Sequence, residues 1–245
     1  MHVVVAVRPA EEEAVLVAGF PAGAFAANCY LVAPGPGAEC LIIDPGEGAE
    51  QGIDEIVERY RLRPAAVLLT HGHLDHIWSV VPVCGARGIP AYIHPADRAL
   101  LTDPARGFAL GAGQELFAGL TLTEPDDVLE LAGGMTLTLA GVDLVVDHAP
   151  GHTPGSVTFR HPGQEATAGV MFSGDLLFAG SIGRTDLPGG DYNTMLASLA
   201  RVCLPLPDET IVLSGHGPAT TIGAERGSNP FLAGLVPDRG PARGL

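Results

Sequence analysis

The chain contains no lysine: its 13 basic residues are all arginines, set against 28 acidic ones, for a formal net charge of −15. A field of that sign repels nucleic-acid phosphates and anionic lipid, and no dense arginine patch reverses it locally. No nucleic acid and no membrane is therefore expected as a partner. Aromatic residues are scarce as well, at 5%. No apolar run is long enough to span a bilayer. The apolar start, residues 1–7, gives way to Arg8, Pro9 and an acidic Glu11-Glu12-Glu13 run, and it lacks the basic opening, long apolar centre and cleavage pattern of a secretion signal. A cytoplasmic location is the resulting expectation. Cys29, Cys40, Cys84 and Cys203 include no C-x-x-C pair, which favours free, mostly buried thiols in a reducing compartment. Two catalytic signatures are also missing. There is neither a G-x-S-x-G elbow for a serine nucleophile nor a G-x-x-x-x-G-K-[ST] phosphate loop.

What the sequence has is turns: 33 glycines and 21 prolines are spread between apolar runs over 245 residues. Runs rich in Val, Leu and Ile at 3–7, 29–32, 41–43, 66–69, 135–139, 144–146, 157–159, 170–172 and 211–213 predict strands. The spacing of Ile53, Ile56 and Val57 predicts a helix over 51–59. Met195, Leu196, Leu199 and Val202 predict another over 192–202, with Asp191 as its N-cap. The order of strands, helix, strand, helix, many strands, helix and a final strand fits an α/β chain, with mixed sheet and helices outside it. A single domain over 1–245 is expected, with a loop-rich insertion at 110–131 and a frayed tail at 234–245.

The chemistry concentrates in Thr70-His71-Gly72-His73-Leu74-Asp75-His76, directly after an apolar run. With only nine histidines in the chain, three within six positions point to a metal site. His71 and His73 can converge on one ion from an extended segment, while Asp75 and His76 can address a second around the following bend. Three further donors end apolar runs beside small residues: His152 in Pro150-Gly151-His152-Thr153-Pro154-Gly155-Ser156, Asp175 after Ser173-Gly174, and His216 in Gly215-His216-Gly217-Pro218. The expected partition gives His71, His73 and His152 to one ion and Asp75, His76 and His216 to another, with Asp175 bridging. Imidazole and carboxylate donors suit zinc, and also accept iron or manganese. A hydroxide between two such ions would be the nucleophile, because divalent ions lower the pKa of bound water from about 15.7 towards about 7. Asp75 and Asp175 would then act in catalysis through that metal-activated water. Asp44-Pro45-Gly46 reads either as a strand-ending turn or as a carboxylate that accepts a hydrogen bond from a ligating imidazole.

At these residues the sequence resembles the metallo-β-lactamase superfamily, in particular its glyoxalase II-like hydrolases. The likeness is carried by THGHLDH at 70–76, PGHTPGS at 150–156, SGD at 173–175 and GHGP at 215–218. Asn28-Cys29-Tyr30, Ile43-Asp44-Pro45-Gly46 and the segment LFAGSIGRTD at 177–186 add to it. The resemblance implies a four-layer αββα sandwich and the same ligand residues, with Asp44 behind them. It also implies hydrolysis of a small-molecule thioester, as in glyoxalase II acting on S-D-lactoylglutathione. The chain resembles the short form of that group, without the C-terminal helical domain that contacts glutathione. Arg184 either meets an acidic group of the substrate or pairs internally with Asp186 or Asp191. Two other outcomes are a mononuclear iron persulfide dioxygenase using His71, His152 and Asp175, and a non-catalytic, metal-stabilised thiol-binding module.

Overall fold

Strands covered on both faces read as unbroken apolar runs, and β3 (Glu39–Ile43) shows why. Leu41 and Ile43 point to one buried cluster while Cys40 and Ile42 point to another. The computed structural model describes residues 15–108, 122–163 and 168–235. Its first sheet runs β1 (Leu16–Ala22), β2 (Ala27–Ala33), β3, β4 (Arg63–Leu68), β5 (Ala91–Ile93) and β6 (Val128–Glu130) in spatial order. β1 to β3 pair antiparallel and β3 to β6 parallel. The second sheet comprises β7 (Thr136–Leu139), β8 (Val142–His148), β9 (Val157–His161), β10 (Val170–Gly174), β13 (Ile211–Ser214) and β14 (Thr220–Thr221), ordered β14-β13-β10-β9-β8-β7. β11 (Leu177–Phe178) and β12 (Ser181–Ile182) form a separate small hairpin.

Three buried clusters define the layers. Val17, Leu41, Ile43 and Leu68 of the first sheet meet Leu144, Phe159, Phe172 and Leu213 of the second between the sheets. On the outer face of the first sheet, Leu31, Cys40, Ile42 and Val67 pack on α1 (Ala49–Tyr60), through Ile53 and Ile56, and on α3 (Val80–Arg87), through Val83 and Cys84. Beyond the second sheet, Met171 and Val212 pack on α4 (Tyr192–Val202), through Met195 and Leu199, and on Ile222 of α5 (Ile222–Ser228). The αββα sandwich is therefore the observed fold, and each face of each sheet is apolar because each is covered. Asp191 caps α4 by accepting from Thr194 N, as its position predicts. All four cysteines are free and buried. Among the described residues no helix is long and apolar enough to cross a membrane.

Some elements are not marked by the sequence pattern. Of the loop-rich segment at 110–131, residues 110–121 lie outside the described residues, but Val128–Glu130 is β6, a parallel edge strand too short to show a period. The run at 3–7 and residues 236–245 of the tail also lie outside the described residues. β1 escapes a reading from pattern because Gly19 and Pro21 interrupt it, which an edge strand tolerates. α3 is disguised by valines and by Pro82, which sits in its first turn, where a missing N–H costs nothing.

The sheets are joined at one end. Asn28 of β2 donates from its backbone N to Gly215 O at 2.7 Å and from Nδ2 to Ser214 O at 2.9 Å and Gly217 O at 3.0 Å. Tyr30 Oη donates to Ser214 O at 2.8 Å. The loop after β13 is thereby fixed by the first sheet, at the end where the donor residues gather.

Candidate metal centre

β4 ends at Leu68, and the chain leaves the sheet through Thr70 and His71 into the short helix α2 (Leu74–Ile77), which carries Asp75 and His76. Gly72 matters here for space rather than for an unusual φ: a Cβ would stand 2.7 Å from Leu100 Cδ1 and 3.0 Å from Asp97 O. His152 lies between β8 and β9, Asp175 directly after β10, and His216 two residues past β13. A register shift in the β10–β13 pairing sets Gly174 opposite Ser214. Gly174 itself takes φ +48, and a Cβ on Gly215 would run into Asp175 Oδ1 and lie 2.8 Å from His76 Cε1. These glycines let the ligand loops approach at backbone distance.

All the predicted donors come together. His71, His73 and His152 form one set, and Asp75, His76 and His216 another, each with its donor atoms within 4.8 Å of one another. Asp175 reaches between them: Oδ1 is 3.4 Å from His76 Nε2, and Oδ2 is 3.4 Å from His152 Nε2 and 3.7 Å from His216 Nε2.

Hydrogen bonds behind the imidazoles fix which nitrogen faces inward. Asp44, held at φ +51, accepts from Thr70 N at 2.8 Å and from Thr70 Oγ1 at 2.6 Å. With its proton spent on Asp44, Thr70 Oγ1 must accept from His71 Nδ1, 3.0 Å away, which leaves a lone pair on His71 Nε2. Asp44 Oδ2 also accepts from His76 Nδ1 at 3.0 Å. The Arg184 carbonyl accepts from His152 Nδ1 at 2.7 Å. His71, His76 and His152 thus aim Nε2 at the same space as the Asp175 carboxylate. Buried His71 Nε2 and Asp175 Oδ1 have no hydrogen-bond partner among the described residues. Inward-facing acceptors with few donors among them are what a cation satisfies, and carboxylate–imidazole pairing behind the ligands is how metal sites orient them. The grouping of Asp44, His71 and His76 within 4.8 Å is this hydrogen-bonded support, already satisfied on the outer side of the rings.

The two sets differ electrostatically. Burial, reinforced by His76 and His152, lowers the pKa of His71; burial and then His152 push His73 down to about 3. Burial acts the same way on His76, yet Asp75, Asp175 and Asp44 outweigh it and raise that pKa to about 10. His216 is raised too, because its contacts with Asp75 and Asp175 overcome burial. Asp75 is lowered: burial opposes ionisation, but His76 and His216 more than offset it.

The donors open on a cleft of about 400 Å³ lined by Phe25, Phe108, Phe178, Ile182, Arg184 and Leu187 as well as by His73, Asp75, His152, Asp175 and His216. Of the two roles left open for Arg184, its side chain takes the internal one. It pairs with Asp186 at 2.7 and 2.8 Å at the exposed rim. Sequence reasoning missed the phenylalanine walls, whose signal is only that Phe178 and Phe25 flank the motifs. It also missed the buried Asp97, which touches both histidine loops.

The profile of the Metallo-beta-lactamase superfamily matches residues 22–216. The chain belongs to that superfamily. Within it, hydroxyacylglutathione hydrolase GloC of Haemophilus influenzae is 39% identical over 180 residues, 72% of this chain and 79% of that protein. Among superfamily structures, the BLEG-1 B3 metallo-beta-lactamase is 42% identical, with a TM-score of 0.77 over 89% of this chain and all of its own. TTHA1623, solved in a di-iron-bound form, is also 42% identical, with a TM-score of 0.70 over 86% of this chain and 97% of its own. The centre is a binuclear metal-binding site of the kind found in the superfamily's metallo-hydrolases. Its donor set is compatible with zinc, iron or manganese.

Proposed function

We propose that this superfamily member hydrolyses a small-molecule thioester, in the manner of glyoxalase II. The observation that carries the reading is that two donor sets, joined by Asp175, open side by side on one aromatic-walled cleft. The 39% identity with GloC supports it. His71, His73 and His152 would hold one ion and Asp75, His76 and His216 the other, with Asp175 shared and zinc the expected metal. When bound, the pair supplies a water of lowered pKa, from about 15.7 towards about 7, and polarises the carbonyl under attack.

The remaining work falls to the chain. Asp75, kept ionised by His76 and His216 and 3.1 Å from His216 Nε2, faces the cleft, where its charge would favour a cation at the second set. Asp44 holds His71, through Thr70, and His76 in their orientations. Phe25, Phe178 and Ile182 exclude water and seat the acyl or thiol portion. The departing thiolate, with a pKa of about 8.5, needs no strong acid. Arg184 stands where it could exchange Asp186 for an acidic group on the substrate.

The 42% identity with BLEG-1 favours a second reading, β-lactam hydrolysis, through the same carbonyl chemistry. Against an iron dioxygenase stands the close-packed second set, Asp75, His76 and His216, which that reaction does not use. One experiment separates them: anaerobic purification with metal analysis, then parallel assays on acyl-thiol thioesters including S-D-lactoylglutathione, a cephalosporin, and glutathione persulfide with oxygen monitoring. About two ions per chain with thioester cleavage is expected. One iron with oxygen uptake, or cephalosporin turnover exceeding thioester turnover, would overturn the proposal.

A further inference from the structure

Asp97 is fully buried, at 0% exposure, and no ion pair to a cation reaches its carboxylate among the described residues. Burying a carboxylate is costly unless hydrogen bonds replace its hydration. Three donors do so, and all belong to the histidine loops. Gly72 N, between His71 and His73, donates to Oδ2 at 2.9 Å. Thr153 Oγ1, next to His152, donates to the same oxygen at 2.6 Å, and Gly155 N donates to Oδ1 at 2.7 Å. The directions are fixed. A carboxylate only accepts, so the Thr153 proton goes to Asp97 and the Ser156 hydroxyl, 2.7 Å away, donates to Thr153 Oγ1. Ser156 Oγ in turn accepts from Thr153 N at 3.1 Å. A Cβ on Gly155 would stand 2.6 Å from Asp97 Oδ1, so the loop closes directly over the carboxylate.

His71 and His73 come from the first sheet and His152 from the second, and Asp97, which follows β5, is bonded to both loops. Resting on the metal-centre reading above, we propose that Asp97 is a positioning residue: it holds the loops bearing His71, His73 and His152 in one register, so that the first ion site exists before the ion arrives. The second set has no bond to Asp97 and should not depend on it.

The test uses the full chain, stripped with chelator and titrated with Co²⁺ by calorimetry and visible absorption. The wild type should take up about two ions. Asp97→Asn keeps the shape but sets an amide N–H against the donors. It should weaken the first site by about 10- to 100-fold, with a changed cobalt spectrum, while the second site stays within about threefold. Thr153→Val removes one of the three bonds and should produce a smaller loss at the same site. If Asp97→Asn does not fold, Thr153→Val is judged by the same selectivity. Equal weakening of both sites, or none at either, overturns the positioning role. A wild type that binds no cobalt overturns the metal-centre reading instead.

Discussion

The two donor sets sit side by side yet are built to opposite rules. His71, His73 and His152 are all imidazole and buried, and neutral oxygens of Thr70 and Arg184 hold His71 and His152 from behind. Asp75, His76 and His216 include a carboxylate, with side chains of Asp75 and His216 that are 20% and 29% exposed to the cleft. His71 and His73 of the first set resist protonation, whereas His76 and His216 of the second favour it. An enclosed, all-imidazole set is suited to holding an ion firmly. An open, carboxylate-bearing set is suited to exchanging water and substrate.

The harshest way to break the comparison is to remove what the sets share. Asp175→Ala should cost at least ~10³-fold in thioester kcat/KM, several kcal/mol of lost transition-state stabilisation, with both ions weakened. Metal analysis of the purified variant checks it. His73→Ala and His216→Ala should separate the sets. Each should retain about one ion per chain, and cobalt spectra of the two variants should differ because one site is all-imidazole and the other is not.

Asp44→Asn acts behind both sets and should weaken metal binding by about 10- to 100-fold without abolishing it, measured by competition with a chromogenic chelator. A change in pH should sharpen the contrast. In the metal-free protein His76, raised from 6.5 to about 10, keeps a proton that an incoming ion must displace, whereas His73, at about 3, carries none at neutrality. Affinity should therefore rise more steeply at the second site than at the first as pH climbs from about 6 to about 9. Calorimetry in buffers of different ionisation enthalpy would count the released protons. The same shifts fix the sign for stability without metal. The His76 contribution is full below 6.5 and lost as pH rises through about 10, while lowered His73 costs stability as pH falls below 6.5.

The smallest effect is expected away from both sets. Glu225 accepts from Gly180 N at 2.8 Å, and its neighbour Asn229 donates to Ser181 O at 3.0 Å, so together they brace the β11–β12 hairpin that carries Phe178 and Ile182. Glu225→Gln should raise the thioester KM by about two- to fivefold with kcat and metal content nearly unchanged, because it loosens the wall and spares the donors.

The donor residues were legible because each ends an apolar run, and the end of a strand fixes where the following side chains go. His152, Asp175 and His216 were each ambiguous alone and became legible only beside the histidine cluster at 71–76. Strands at 41–43, 170–172 and 211–213 and the helix at 192–202 were legible for the same reason: burial on a defined face writes a pattern. Asp97 was not, since a lone aspartate two residues after a proline looks like any turn residue and its partners are distant in sequence. β1 and β6 were hidden by being edges, where Gly, Pro and shortness erase the signal.

The split origin of the ligands has a mechanical consequence. Loops of the first sheet supply His71, His73, Asp75 and His76, and loops of the second supply His152, Asp175 and His216. A bound ion is therefore a rivet driven through both plates of the sandwich, as a disulfide would be in an oxidising compartment. Its binding energy is paid into the docking of the two halves. Withdrawing it removes that clamp, while the hydrogen bonds of Asp97, Asn28 and Tyr30 and the apolar seam still tie the two sheets.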